Sequence, residues 1–238
     1  MAIRYLDGQT SSPLECRIAS RARFMNSVFL QMAFSVGLSA VAAYSLVRLP
    51  SLEDALVGPS GLTMAGWIIF LSPLALVLLI GAGVSRMSGG TARALLALYA
   101  VLVGFSLATA LSGISVAGLF LAFVASAGAF IALAMLGGML RHDFSGLGNF
   151  LMIALVGLIV AMTANLIIGS NGFDMMISGA GVVLFAALTA YDTQRLKRMF
   201  DSQIHDPDDS SASVGALTLY LDFLNLFLSL LRFTGRRR

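Results

Sequence analysis

Lysine is almost missing from this chain: Lys197 is the one lysine among 15 basic residues in a length of 238, and charged residues of both signs make up only 11%. Soluble domains carry about 25% charged and about 45–50% apolar residues. Here 58% are hydrophobic and the mean hydropathy is +0.90, which excludes an ordinary soluble globular domain and points to an integral membrane protein. Cysteine is equally scarce. Cys16 stands alone, so no intrachain disulfide and no cysteine metal cluster can form. The two histidines, His142 and His205, fall in polar connectors and read as solvated loop residues, because one isolated imidazole is a poor metal site. A basic groove with interleaved aromatics is also lacking. The pI near 9.4 therefore does not point to nucleic acid; the positive charges lie beside apolar segments, where they orient helices against an anionic membrane face.

What is there is a series of long apolar runs. A helix needs about 20 mainly apolar residues to cross the hydrocarbon core. Such runs occupy 24–47, 64–84, 92–112, 114–139, 150–168 and 175–194, with a seventh at 213–233. The first is too long for the cleavable apolar core of a signal peptide, about 7–15 residues, and is expected to stay as a membrane helix. Connectors are short and rich in turn residues, the longest being the acidic, Ser-rich DSQIHDPDDSSAS at 201–213. Strands are not expected, because lipid-exposed sheet edges cannot be satisfied and the runs lack the alternation of a membrane barrel. Pro73 predicts a kink in the second run, and glycines such as Gly128, Gly137, Gly138, Gly179 and Gly181 predict close helix contacts.

These features predict an all-α membrane protein. Its parts are a cytoplasmic N-terminal tail (1–23), one transmembrane helical bundle (24–235) and a basic C-terminal tail (236–238). Six spans followed by a re-entrant last helix is the alternative arrangement. With the N-terminus inside, ten Arg or Lys residues flank the helices on that side, whereas the opposite connectors hold only Arg48. The bias predicts a cytoplasmic N-terminus; Arg232 and Arg236 to Arg238 leave the side of the C-terminus open.

Two acids break the pattern. Asp192 and Asp222 sit within apolar runs, where a carboxylate costs roughly 2.5–3.5 kcal/mol on insertion scales. In the seventh run Thr218, Asp222, Asn225, Ser229 and Arg232 are spaced 4, 3, 4 and 3, which at about 3.6 residues per turn aligns them in one polar stripe. Such a stripe belongs in the bundle interior or along a water-filled path. Two carboxylates facing each other at low dielectric cannot both ionise cheaply and can share a proton. Asp192 and Asp222 are thus candidates for a pH sensor and gate, with Thr218, Asn225 and Ser229 as the ion path. Arg86, at the end of the second run, is either an ion-pair partner or a topological anchor. The same oxygens suit weak, passing Ca²⁺ coordination, with no tightly bound cofactor.

The segments TAYDTQRLK (189–197) and LYLDFLNLFLSLLRFTG (219–235) resemble those of the transmembrane Bax inhibitor motif family in its bacterial branch. The resemblance implies a seven-helix bundle with the last helix near the centre and a pH-sensitive calcium leak governed by two aspartates, matching Asp192 and Asp222. It also implies a gating arginine at Arg86. Bacterial relatives include a modulator of an ATP-dependent membrane protease, so regulation of such a protease or another membrane protein is the second reading. An intramembrane aspartyl protease is disfavoured: the residues before Asp222 are Leu219, Tyr220 and Leu221, where such enzymes carry a GxG element. A proton-coupled transporter remains a further option. The expectation is a non-enzymatic protein of the bacterial inner membrane whose surroundings are the lipid bilayer.

Overall fold

The computed structural model describes residues 13–58, 61–83, 87–111, 114–139, 146–202 and 209–234. Eight helices follow one another among these residues: α1 (Pro13–Arg48), α2 (Pro50–Leu56), α3 (Met64–Gly83), α4 (Gly89–Ala110), α5 (Val116–Met139), α6 (Leu147–Ile168), α7 (Asn171–Ser202) and α8 (Asp209–Thr234). Six of them, α1 and α4 to α8, are long and apolar enough to cross a membrane; α3 contains the shorter apolar stretch Met64–Ile80.

The ends obey local chemistry. Ser88 caps α4, its Oγ accepting the Thr91 N–H at 3.2 Å, which satisfies one of the first-turn donors. α6 stops at Gly169, whose left-handed φ of 67° lets its N–H reach the Asn165 carbonyl at 2.8 Å. Inside α3, Pro73 has no N–H to give the Ile69 carbonyl one turn back. That carbonyl is served instead by the hydroxyls of Ser72 (2.8 Å) and of Ser106 on α4 (3.2 Å), the re-satisfaction that apolar surroundings require.

Three features depart from the sequence-based expectation. α1 begins at Pro13, so helix extends into the polar segment before the first apolar run. α7 continues to Ser202, well past its run. The connector after α1 holds the short helix α2 and, against the expectation of no strands, an antiparallel pair, β1 (Val57–Gly58) and β2 (Gly61–Leu62). Two residues per strand expose little edge, and Gly61, at φ 119°, supplies the backbone conformation that closes the reversal.

α8 packs against α7, α5, α1 and α4. In its most apolar stretch 67% of residues are buried, against 11–39% in the other five. Its faces are divided by chemistry. Towards α5 it sends Phe223 and Phe227, edge-on to Phe123 and Phe130. Towards α1 and α4 it sends Tyr220, whose hydroxyl meets Ser39 Oγ at 2.6 Å while its ring meets Tyr99 at 5.8 Å. Ser39 also donates towards the Ala100 carbonyl, and nearer the start of α8 Ser213 donates to Gln31 at 2.7 Å. Towards α7 it turns its acid.

Glycines set these distances. A Cβ at Gly104 would lie 2.4 Å from the Ser39 carbonyl oxygen, and one at Gly137 would lie 2.2 Å from that of Ala190. Only hydrogen fits there, so α1–α4 and α5–α7 approach backbone to backbone.

Candidate functional site

α7 and α8 run antiparallel on either side of the 203–208 connector. Asp192 lies ten residues before the end of α7 and Asp222 thirteen after the start of α8. At 1.5 Å per residue these are depths of about 15 and about 20 Å from the same end, so the two acids meet near one level. Both are buried, 7% and 6% exposed, and their carboxyl groups are within hydrogen-bonding reach of each other. Asp222 Oδ2 is sealed from solvent and has no hydrogen-bond partner. Two ionised carboxylates are acceptors only, so this contact is satisfied when a proton or a cation lies between them.

Asp192 is reached from one end. A cavity of about 320 Å³ opens between facing stripes, with Asp192, Arg195 and Met199 on α7 and Ser211, Val214 and Thr218 on α8. It extends down to Asp192 and Thr218; Asp222 lies one helical turn beyond, behind the acid that lines the cavity. Arg195 lines its wall one helical turn outward of Asp192, 69% exposed, with its guanidinium 3.9 Å from Asp192 Oδ1.

The other residues of the stripe are placed differently. Thr218 donates to the Val214 carbonyl at 3.1 Å and Asn225 to the Leu221 carbonyl at 2.9 Å, both on their own helix. Ser229 is buried against α7: a Cβ at Gly181 would stand 2.6 Å from its Oγ. Arg232 is exposed. Asp192 and Thr218 thus line the cavity, with Asp222 one turn further along α8 beside Asp192, while Asn225, half-buried, and Ser229, buried, lie beyond the cavity lining. Arg86, together with His142, His205 and Arg236 to Arg238, lies outside the described residues. No group of three or more His, Cys, Asp or Glu side chains is assembled among the described residues.

Two groups of residues were missed by the sequence reading. Arg195 was counted only as an orienting charge, although its i,i+3 spacing from Asp192 puts both on one helix face. The polar series Ser27, Gln31, Ser35 and Ser39 on α1 repeats every four residues and was absorbed into an apolar run. The same end of the bundle gathers further cations. Arg21 pairs with Asp201 at 3.3 Å, joining α1 to α7, and Lys197 Nζ donates to the Gly138 carbonyl at 2.7 Å, holding the last turn of α5.

Six helices long and apolar enough to cross a bilayer, two of them carrying buried acids that meet, define an integral membrane protein. The family model described as "Inhibitor of apoptosis-promoting Bax1" matches residues 21–238, and the chain belongs to this Bax inhibitor family. It is similar to the inner membrane protein YbhL of Escherichia coli K12, with 40% identity over 174 residues covering 71% of this chain and 74% of that protein. It is also similar to an uncharacterized protein of Borreliella burgdorferi, with 34% identity over 224 residues, or 93% of this chain and 95% of the relative. A third relative, the uncharacterized protein RP147 of Rickettsia prowazekii, is 36% identical over 220 residues, 91% and 90% of the two chains.

Proposed function

We propose that this protein is a pH-sensitive cation leak, with Ca²⁺ as the permeating ion, in which Asp192 and Asp222 form the sensor and gate. The observation that carries the reading is the contact of two buried carboxyls, one with an oxygen that lacks a partner and the other, Asp192, lining a cavity reached from one end. A proton shared by the pair holds α7 against α8 and keeps the continuation past Asn225 and Ser229 shut. When both acids ionise, repulsion at low dielectric separates the helices or draws in a cation. The ion is cargo: it exchanges protein oxygens for water and leaves, so weak coordination suits it.

In this reading the chain is a seven-helix bundle arranged about α8, it is not an enzyme, and it lies in a bacterial inner membrane, as the name of YbhL supports by analogy. The cavity end is cytoplasmic and so is the N-terminus, because Arg17, Arg21, Arg195, Lys197 and Arg198 gather there. Arg86 keeps its proposed role as a gating arginine from family resemblance alone.

Purified protein in liposomes loaded with a Ca²⁺ indicator tests this directly. Wild type should leak Ca²⁺ in a pH-dependent way and Asp222→Asn should flatten that dependence. Equal pH profiles for the two proteins would refute the reading. A second reading, a regulator that docks a membrane protease, draws on the exposed first turns of α1, Glu15 to Ala19. Loss of partner regulation with intact ion flux after removal of residues 1–23 would favour it.

A further inference from the structure

Resting on that cation-leak reading, we infer that Arg195 is a charge filter in the wall of the cavity, a tethered cation one helical turn outside Asp192 that an ion bound for that acid must pass and that opposes divalent ions more than monovalent ones. The geometry assigns this place to it. Its side chain is 69% exposed and lines the cavity one helical turn outward of Asp192, with Met199 a further turn out, while Asp192, three residues away on the same face, is 10% exposed in its side chain and lies at the inner end. The 3.9 Å separation exceeds hydrogen-bond length. The guanidinium is therefore held by charge rather than by a locked, two-pronged bond, and it can swing aside or be displaced. The remaining wall offers hydroxyls from Ser211 and Thr218 and apolar surface from Met199 and Val214; at the level of Asp192 the described lining presents no other cation.

The consequence is quantitative. The work of bringing an ion past a fixed charge is proportional to the ion's own charge. Removing that charge lowers the entry barrier for a divalent ion by twice as much as for a monovalent ion. Rates depend exponentially on barriers, so an n-fold rise in K⁺ flux implies about an n²-fold rise in Ca²⁺ flux. A rise of about threefold for K⁺ goes with about tenfold for Ca²⁺. Arg195→Lys keeps the charge and loses the planar fork, so it should leave the ratio as in wild type. An architectural role for the side chain would instead change both ions by the same factor.

The test uses the full-length protein in liposomes, with all variants compared at one fixed pH. K⁺ and Ca²⁺ fluxes are measured for wild type, Arg195→Gln and Arg195→Lys. A second readout needs no conduction. With Cys16→Ser removing the native thiol, Val214→Cys places one thiol in the cavity wall. Its modification rates by a cationic and a neutral thiol reagent are then compared with and without Arg195→Gln. The filter predicts that the cationic-to-neutral rate ratio rises several-fold in Arg195→Gln and not in Arg195→Lys. An unchanged ratio, or equal gains for K⁺ and Ca²⁺, overturns it. Failure of the leak itself shows separately, as Ca²⁺ flux that is absent or indifferent to Asp222→Asn, and in that case the thiol ratio alone decides whether Arg195 guards the cavity.

Discussion

α6 and α8 are the two extremes of this molecule. α6 carries no charged residue, packs against α7, and has only 11% of its most apolar stretch buried; Phe150, Ile153, Leu166 and Ile167 all face outwards. α8 carries Asp222, Asn225, Ser229 and Tyr220, and 67% of its corresponding stretch is buried. In a water-soluble protein the exposures would be reversed. In a bilayer the solvent is hydrocarbon, so apolar side chains give no reason to associate, and polar groups seek one another inside. The comparison teaches that the interior of this protein is identified by its polarity, and that α8, packed against α1, α4, α5 and α7, is the most buried of the long apolar helices.

Substitutions in matched positions can break that comparison. The largest effect belongs to Tyr220→Ala. The side chain is fully buried, hydrogen-bonded to Ser39 and edge-on to Tyr99, and truncation of such an aromatic costs about 3–5 kcal/mol. The matching change on α6, Ile153→Ala at a residue 72% exposed, should stay within about 0.5 kcal/mol. Thermal unfolding in detergent measures both, and equal destabilisation would mean that α6 is not a lipid-facing rim. A smaller contrast comes from glycine. Gly181→Leu drives a side chain into Ser229 and should cost about 1–3 kcal/mol by overpacking. Gly157→Leu on α6, with nothing within 4 Å of its Cβ position, should leave the melting temperature unchanged.

The same contrast explains what was legible in the sequence. Run length and hydropathy located the helices, because the bilayer imposes a minimum span that composition alone reveals. The start of α1 and the end of α7 were not legible, since both continue as helix beyond the apolar stretch, where Arg17 and Arg21 find Asp201. α2 and the β1–β2 pair occupy a connector too short to carry a periodic signal. On α8 the 4, 3, 4, 3 spacing marked one face, and Asp222 and Thr218 do converge with Asp192. The facing series on α1, Ser27 to Ser39, was open to the same test of spacing but has no acid to draw notice. Arg195 was obscured by its neighbours Lys197 and Arg198, three cations in four residues that all satisfy the same topological rule.

The central claim is that Asp192 and Asp222 act as one titrating unit, and infrared difference spectroscopy of the carboxyl stretch across a pH titration reads that unit directly. Coupled acids lose their protons in two separated steps that belong to the pair. Wild type should therefore show two carboxyl transitions, and Asp192→Asn and Asp222→Asn should each show one, at a pH that matches neither wild-type step. Two transitions that simply lose one member in each variant, leaving the other where it was, would mean that the two carboxyls titrate independently and that the contact between them is no switch.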